Sequence, residues 1–448
     1  MQNNYLIVNV QLVNEDKISF SHVLIQDGFI KNIYPQSIAI EDIPFVLGTK
    51  IIDACGKYLL PGLIDEHVHF RQPGMTNKGD IYTESRAALV GGVTSIMDMP
   101  NVLPQTTTNN LLNDRFLQAK DKMFCNYSFY LAATDTNFEE VKHVDKNRVA
   151  GLKLFVGSST GNMLISDEAV LEKVFAIKDL PIAVHAEDET IIKENTSFFK
   201  QKYGEKPPFS VHNQIRSTKA CVEASKKVIA RAERLGTHLH ILHISTQEEL
   251  KLLANSSANI TGEICPSYLC FDENDYANYG AKIKCNPAIK TKNDRLALLQ
   301  AVANGEITTI GSDHAPHLWE EKDKSYFQSP SGMPMVQHTL LVLLDLVKAN
   351  KLKIEQLVKL TSHNPSLLYG IDRRGFIKEG YFADMVLVDL QIPTKVSTDN
   401  IYYKCAWSPF EGKTFSSSVE KTFVNGVLVY DKGIFANENP AMELYFNR

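Results

Sequence analysis

The stretch LLPGLIDEHVHFRQPG, Leu59 to Gly74, decides how the rest of the chain is read. An apolar lead, Leu63-Ile64, runs into Asp65, then His67 and His69, with Arg71 two residues on and a Pro73-Gly74 turn behind it. Side chains at i and i+2 of a strand share a face, so His67 and His69 point the same way beside a turn. Two imidazoles placed like this form half of a metal site. An HxH triplet alone also fits a solvated loop or an edge strand, so the remaining chain has to supply the partners.

Outward from that stretch, short apolar strands alternate with helical patterns, as a parallel sheet requires. The strand candidates are 62–70, 93–99, 126–133, 149–156, 181–187, 238–245, 259–266 and 306–313. Helical patterns lie between most of them, at 82–90, 109–121, 167–178, 213–235 and 292–303. The alternation predicts an α/β fold, a closed (β/α)8 TIM-like barrel over residues 59–370, with an open doubly wound sheet as the other arrangement it allows. Residues 1–58 and 371–448 read instead as β-branched-rich strands with tight turns, each block small for its own core. They are expected to combine as one small β-sandwich module built from both chain termini.

With 448 residues, 44% hydrophobic and 22% charged, and a net charge of −5, the chain has the composition of a globular protein with a large core. No basic-then-apolar leader opens it and no run approaches a membrane span, so neither secretion nor a membrane partner is expected. Seven irregularly spaced cysteines without a CxxC pair point to reduced thiols and a cytoplasmic location. No sustained Lys/Arg tract suggests nucleic acid, which leaves a small-molecule substrate.

A barrel's active site lies at the C-terminal ends of its strands, and the unusual polar residues fall there. His67 and His69 end the first candidate strand, Asn101 follows the second, and Lys153 sits inside the fourth. His185 lies near the end of the fifth, His243 near the end of the sixth, and Asp313 ends the eighth. A lysine or histidine within a buried parallel strand is costly unless coordinated or paired. Four histidines, an aspartate and an interior lysine suggest two divalent metals, and the imidazole–carboxylate mix suits zinc. A carbamate formed from Lys153 and carbon dioxide would supply the bridging anion and remove a buried cation.

Together, HVHFRQPG, DMPN, GLKLF, VHAE, LHIS and GSDHAPH resemble the dihydroorotases of the amidohydrolase superfamily over essentially the whole chain. The resemblance implies two Zn2+ per chain, one held by His67, His69 and Asp313, the other by His185 and His243, with carboxylated Lys153 bridging them. It implies that Arg71, Asn101 and His317 contact a substrate carboxylate, that Asn286 contacts the ring, and that Asp313 carries the catalytic proton. The implied reaction is reversible hydrolysis of the cyclic amide of dihydroorotate to N-carbamoyl-L-aspartate by a metal-bridged hydroxide, a step of pyrimidine biosynthesis. Two departures stand out: Gln72 replaces an acidic residue, and Pro287-Ala288-Ile289-Lys290 replaces Pro-Pro-Leu-Arg.

Hydantoinases, dihydropyrimidinases and allantoinases share the barrel and metal set, but an arginine just beyond HxH suits a ring bearing a carboxylate. A non-catalytic scaffold is the different-class alternative, and it would be expected to have lost ligands. His212, His238 and His240 receive no role, and His314, His338 and His363 read as structural. The Thr160-Gly161-Asn162 loop could border the site. The apolar stretch from Met335 to Val347 could serve a homodimer or could equally be barrel core.

Overall fold

The computed structural model describes residues 4–156 and 163–448, so the Thr160-Gly161-Asn162 loop lies outside the described residues. The barrel strands are β1 (Leu63–Val68), β2 (Val93–Asp98), β3 (Asn126–Phe129, resumed at Leu131–Ala132) and β4 (Leu152–Val156). They continue as β5 (Ile182–Ala186), β6 (Leu239–Ile241), β7 (Ile260–Ile264) and β8 (Thr309–Ile310). Each pairs in parallel with the next. The ring closes where Val68 bridges His314 and the His69 N–H donates to the His314 carbonyl across 2.8 Å. This is a distorted (β/α)8 barrel.

Every residue of β1 and β2 is buried, as strands covered on both faces require. The helix Thr218–Leu235 shows why the intervening segments coil. Ser217 caps its first turn by accepting the Ala220 N–H, and Gly236 ends it at φ 69°, a left-handed value that glycine adopts without strain. Between the caps Cys221, Ala224, Ser225, Val228, Ile229 and Ala232 form a buried stripe at helical spacing. The apolar helix Thr339–Lys348 buries Thr339 through Leu344 and so belongs to the core.

Two strands stop short of their sequence pattern. β6 ends at Ile241 and β8 at Ile310, just ahead of His243 at φ 43° and Asp313 at φ 47°. A non-glycine residue at positive φ turns the chain out of the pleated ladder, and such residues cluster at functional sites. The helix Glu189–Tyr203 was not expected from the sequence pattern. Asp188 caps it, but only Ile192 and Phe199 are buried along it, too thin a stripe to register as amphipathic.

Both chain ends build one nine-stranded sheet. Tyr5–Asn14 pairs antiparallel with Lys17–Gln26 and parallel with Lys50–Asp53 and Tyr58–Pro61. Tyr58–Pro61 in turn pairs antiparallel with Met385–Asp389, placing Leu60 opposite Val386. Leu59 packs with Tyr5, Ile7, Met385 and Phe423 in a core against this sheet. Only Gly62 separates the sheet from β1, so the strand carrying His67 is anchored at its base.

Candidate metal centre and active site

A pocket of about 330 Å³ opens at the C-terminal end of the barrel, and every site residue expected from the sequence lines it. His67 Nδ1 lies 2.8 Å from Glu263 Oε1. The carboxylate accepts, so the ring proton sits on Nδ1 and the lone pair on Nε2. His69 is set the same way, with Nδ1 donating to Asn101 Oδ1 across 2.6 Å. Both Nε2 atoms then face Asp313 Oδ1, at 3.3 and 3.1 Å. Two ring nitrogens and a carboxylate oxygen converging on one point are the donor set of a cation site. Although burial opposes it, Glu263 and Asp313 raise the His67 ring above its ordinary range, so positive charge is drawn there. His67, His69 and Asp313 therefore fit a divalent metal ion.

A second pair stands beside the first. His185 Nδ1 lies 2.9 Å from His243 Nε2, and His185 Nε2 lies 3.0 Å from Glu187 Oε2. The fully buried His243 Nδ1 makes no hydrogen bond among the described residues. The His67 and His243 ring centroids are 5.4 Å apart, so both pairs share one chamber. Burial holds His69 down at about 4 and keeps His185 and His243 below their ordinary range. All three rings are neutral at pH 7, which is the ligating form.

Lys153 is 1% exposed, and its ammonium lies 4.8 Å from the Phe155 ring centroid. Burial draws this amine down to about 7, against the pull of Asp313 and Glu263. Burial alone would raise the Asp313 carboxyl, but His67, His69 and Lys153 hold it below its ordinary range, so it is ionised at neutral pH.

The opposite end of the pocket is basic. Arg71 donates Nε–H to the Pro316 carbonyl at 3.0 Å, and its Nη2 lies 3.2 Å from His317 Nε2. Lys78 Nζ lies 3.2 Å from His317 Nδ1 and 3.0 Å from Glu321. Burial, Arg71 and Lys78 keep the His317 ring far below its usual range, hence neutral. Asn286 Oδ1 is buried in the same wall without a hydrogen bond among the described residues.

Sequence reasoning missed three groups. Glu263, inside β7, aims His67 and also accepts the His243 N–H at 3.0 Å. A buried glutamate within an apolar strand carries the signal that singled out Lys153. Gly311 makes room for it, since a Cβ there would meet Glu263 Oε2 at 2.3 Å. Glu187, two residues beyond His185, pairs with Arg216. Lys78 sits in a loop, where periodicity says nothing about direction. The histidines read as structural are so placed. His314 bonds Glu84 at 2.8 Å, His338 lies 3.1 Å from the Tyr403 hydroxyl, and His363 stacks on Phe376.

Fold and site together define a barrel hydrolase with a metal-ligating cluster at its mouth. The chain belongs to the amidohydrolase family, whose sequence model matches residues 58–429. It is 32% identical over 428 residues to a dihydroorotase of Methanosphaera stadtmanae, covering 95% of this chain and 96% of that protein. A dihydroorotase of Listeria innocua is 31% identical over 440 residues, covering 96% of this chain and 99% of the relative. Among solved structures, the L-hydantoinase (dihydropyrimidinase) of Arthrobacter aurescens superposes with a TM-score of 0.93 at 26% identity, covering 99% and 100% of the two chains. The dihydropyrimidinase of Brevibacillus agri superposes with a TM-score of 0.89, also at 26% identity, over 100% of both.

Proposed function

We propose that this chain is a metal-dependent hydrolase of cyclic amides, and that the ring it takes carries a carboxylate, as dihydroorotate does. Relatives that are dihydroorotases, hydantoinases and dihydropyrimidinases all support the cyclic-amide chemistry. The choice of ring rests on Arg71. Its guanidinium is buried, yet no carboxylate pairs with it within 4.0 Å among the described residues. Asp313, Asp98 and Glu321 act on it only from a distance, so a buried cation with no carboxylate in direct contact favours an anion entering from the pocket.

In this reading His67, His69 and Asp313 would hold one zinc ion, and His185 and His243 would hold a second. Lys153 would carry a carbamate as the anionic ligand of this centre, and an amine titrating near 7 offers the neutral form that adds carbon dioxide. Bound divalent metal supplies Lewis acidity and lowers the pKa of water. Arg71 binds the ring carboxylate in a bidentate pair, with Asn101 and His317 beside it and Asn286 against the ring. Asp313, ionised at pH 7, takes the proton of the attacking water and returns it to the departing ring nitrogen. In the reverse direction the same groups close N-carbamoyl-L-aspartate with loss of water.

The second reading is a neutral ring, hydantoin or a dihydropyrimidine. The full-length likeness to a hydantoinase and a dihydropyrimidinase favours it, whereas the basic end of the pocket favours the acid. Comparing kcat/KM for dihydroorotate, dihydrouracil, hydantoin and allantoin, with and without a chelator, separates the two. Turnover of dihydroorotate that the chelator abolishes is the expected result. Turnover of neutral rings alone would transfer the assignment to the second reading.

A further inference from the structure

Inside the barrel a second polar cluster lies away from the pocket lining. Glu66 on β1, His240 on β6 and Glu263 on β7 bring one potential ligand atom each to within 4.8 Å of one another, and all three are fully buried. The protonation of His240 can be read from its neighbours. Its Nδ1 lies 2.8 Å from Thr261 Oγ1, and that hydroxyl donates its own proton to the Leu239 carbonyl at 3.2 Å. A hydroxyl has one proton to give, so Thr261 accepts from Nδ1–H and the lone pair sits on Nε2.

That lone pair faces Glu66 Oε1 at 4.0 Å. Neither Glu66 oxygen makes a hydrogen bond of normal geometry among the described residues, and neither does Glu263 Oε2. The Thr309 hydroxyl is close to both Glu66 and His240 Nε2, the latter at 3.4 Å, but has a single proton for the two. No lysine or arginine pairs with Glu66 or Glu263 within 4.0 Å among the described residues. Burial and the neighbouring Glu263 push the Glu66 carboxyl well above its ordinary range, so the acceptors converging in this dry interior call for one positive charge among them, a proton or a metal ion.

We propose that Glu66, His240 and Glu263 hold a divalent metal ion, of the zinc or manganese class, distinct from the ligand set that faces the pocket. An imidazole with two carboxylates suits these cations, and the Thr261 hydroxyl fixes the ligating tautomer as an outer partner should. The ion ties β1 to β6 and β7 and meets the pocket only through Glu263, whose other oxygen receives the His67 Nδ1–H. None of its three ligands is exposed, so it is a structural ion that enters on folding, out of reach of chelators that strip the open pocket.

Metal content of the full chain tests this without reference to activity or to the choice of ring. After exhaustive dialysis against EDTA of zinc-loaded protein, produced and folded in the presence of zinc, mass spectrometry should find about one equivalent of zinc retained per chain. Glu66→Gln and His240→Asn should retain none after the same treatment. Crystals of the unaltered protein, diffracted at the zinc edge, should show anomalous density between Glu66 and His240. Retention unchanged in Glu66→Gln would overturn the proposal. So would the absence of that density in zinc-loaded crystals, which would leave a proton shared within the cluster.

Discussion

His67 on β1 donates its Nδ1–H to Glu263 on β7 across 2.8 Å, so a carboxylate two strands away around the barrel aims the imidazole that faces Asp313. Carboxylate partners of this kind raise the basicity of a ligating ring and fix its tautomer. Glu263→Gln keeps the shape but weakens the acceptor. The chelator-accessible metal should then bind roughly 10–100-fold more weakly, as read by competition titration. Unchanged affinity would mean that the ring is aimed by packing alone.

Arg71 is the residue on which the choice of substrate turns. Arg71→Met should lower kcat/KM for dihydroorotate by about 100-fold or more, mostly through KM, as expected for the loss of a buried charge pair. Any turnover of hydantoin should change little. Lys78 is only half-buried and already engaged with Glu321, so Lys78→Met should cost less, about tenfold. Equal losses on charged and neutral rings would place Arg71 in the scaffold.

Lys153→Ala and Lys153→Arg should both lose bound metal together with activity, because neither can form a carbamate. Reconstitution of metal-free protein with zinc should be slow in carbonate-free buffer and accelerate when bicarbonate is added. Full activity in Lys153→Arg would rule out the bridging carbamate.

Glu187 supplies a pH signature. Burial would raise its carboxyl, but Arg216 and His185 bring it down to about 2 from an ordinary 4.5. Its stabilising effect is therefore complete above pH 4.5 and is lost as pH falls through about 2. Glu187→Gln should be less stable than the parent by about 3 kcal/mol at pH 7 in urea unfolding. The gap should close between pH 4.5 and 2.

Much of this architecture was legible in the sequence. Alternation placed the barrel strands, and polar residues interrupting apolar strands marked one pocket from six of them. What escaped has identifiable causes. The helix after Asp188 buries too few apolar side chains to show a periodic stripe. β6 and β8 end early because His243 and Asp313 take backbone conformations that no hydrophobic pattern encodes. Lys78 reaches the site from a loop. Glu66 and Glu263 were readable by the rule applied to Lys153, but two glutamates among valines and isoleucines draw less notice than a histidine pair. His240, left without a role by its spacing, faces Glu66 only because strands distant in sequence close into a ring.

The pairing of Leu60 with Val386 sets an order of events during synthesis. More than 300 residues separate the two strands, which at ribosomal speed is roughly 20–60 s of translation. For that interval Tyr58–Pro61 presents an open strand edge, although it leads directly into the strand that carries His67. A nascent chain arrested before Met385 would expose the hydrogen-bonding groups of that edge, and with them an aggregation hazard. A strand made after the barrel thus acts as a late seal on one made before it.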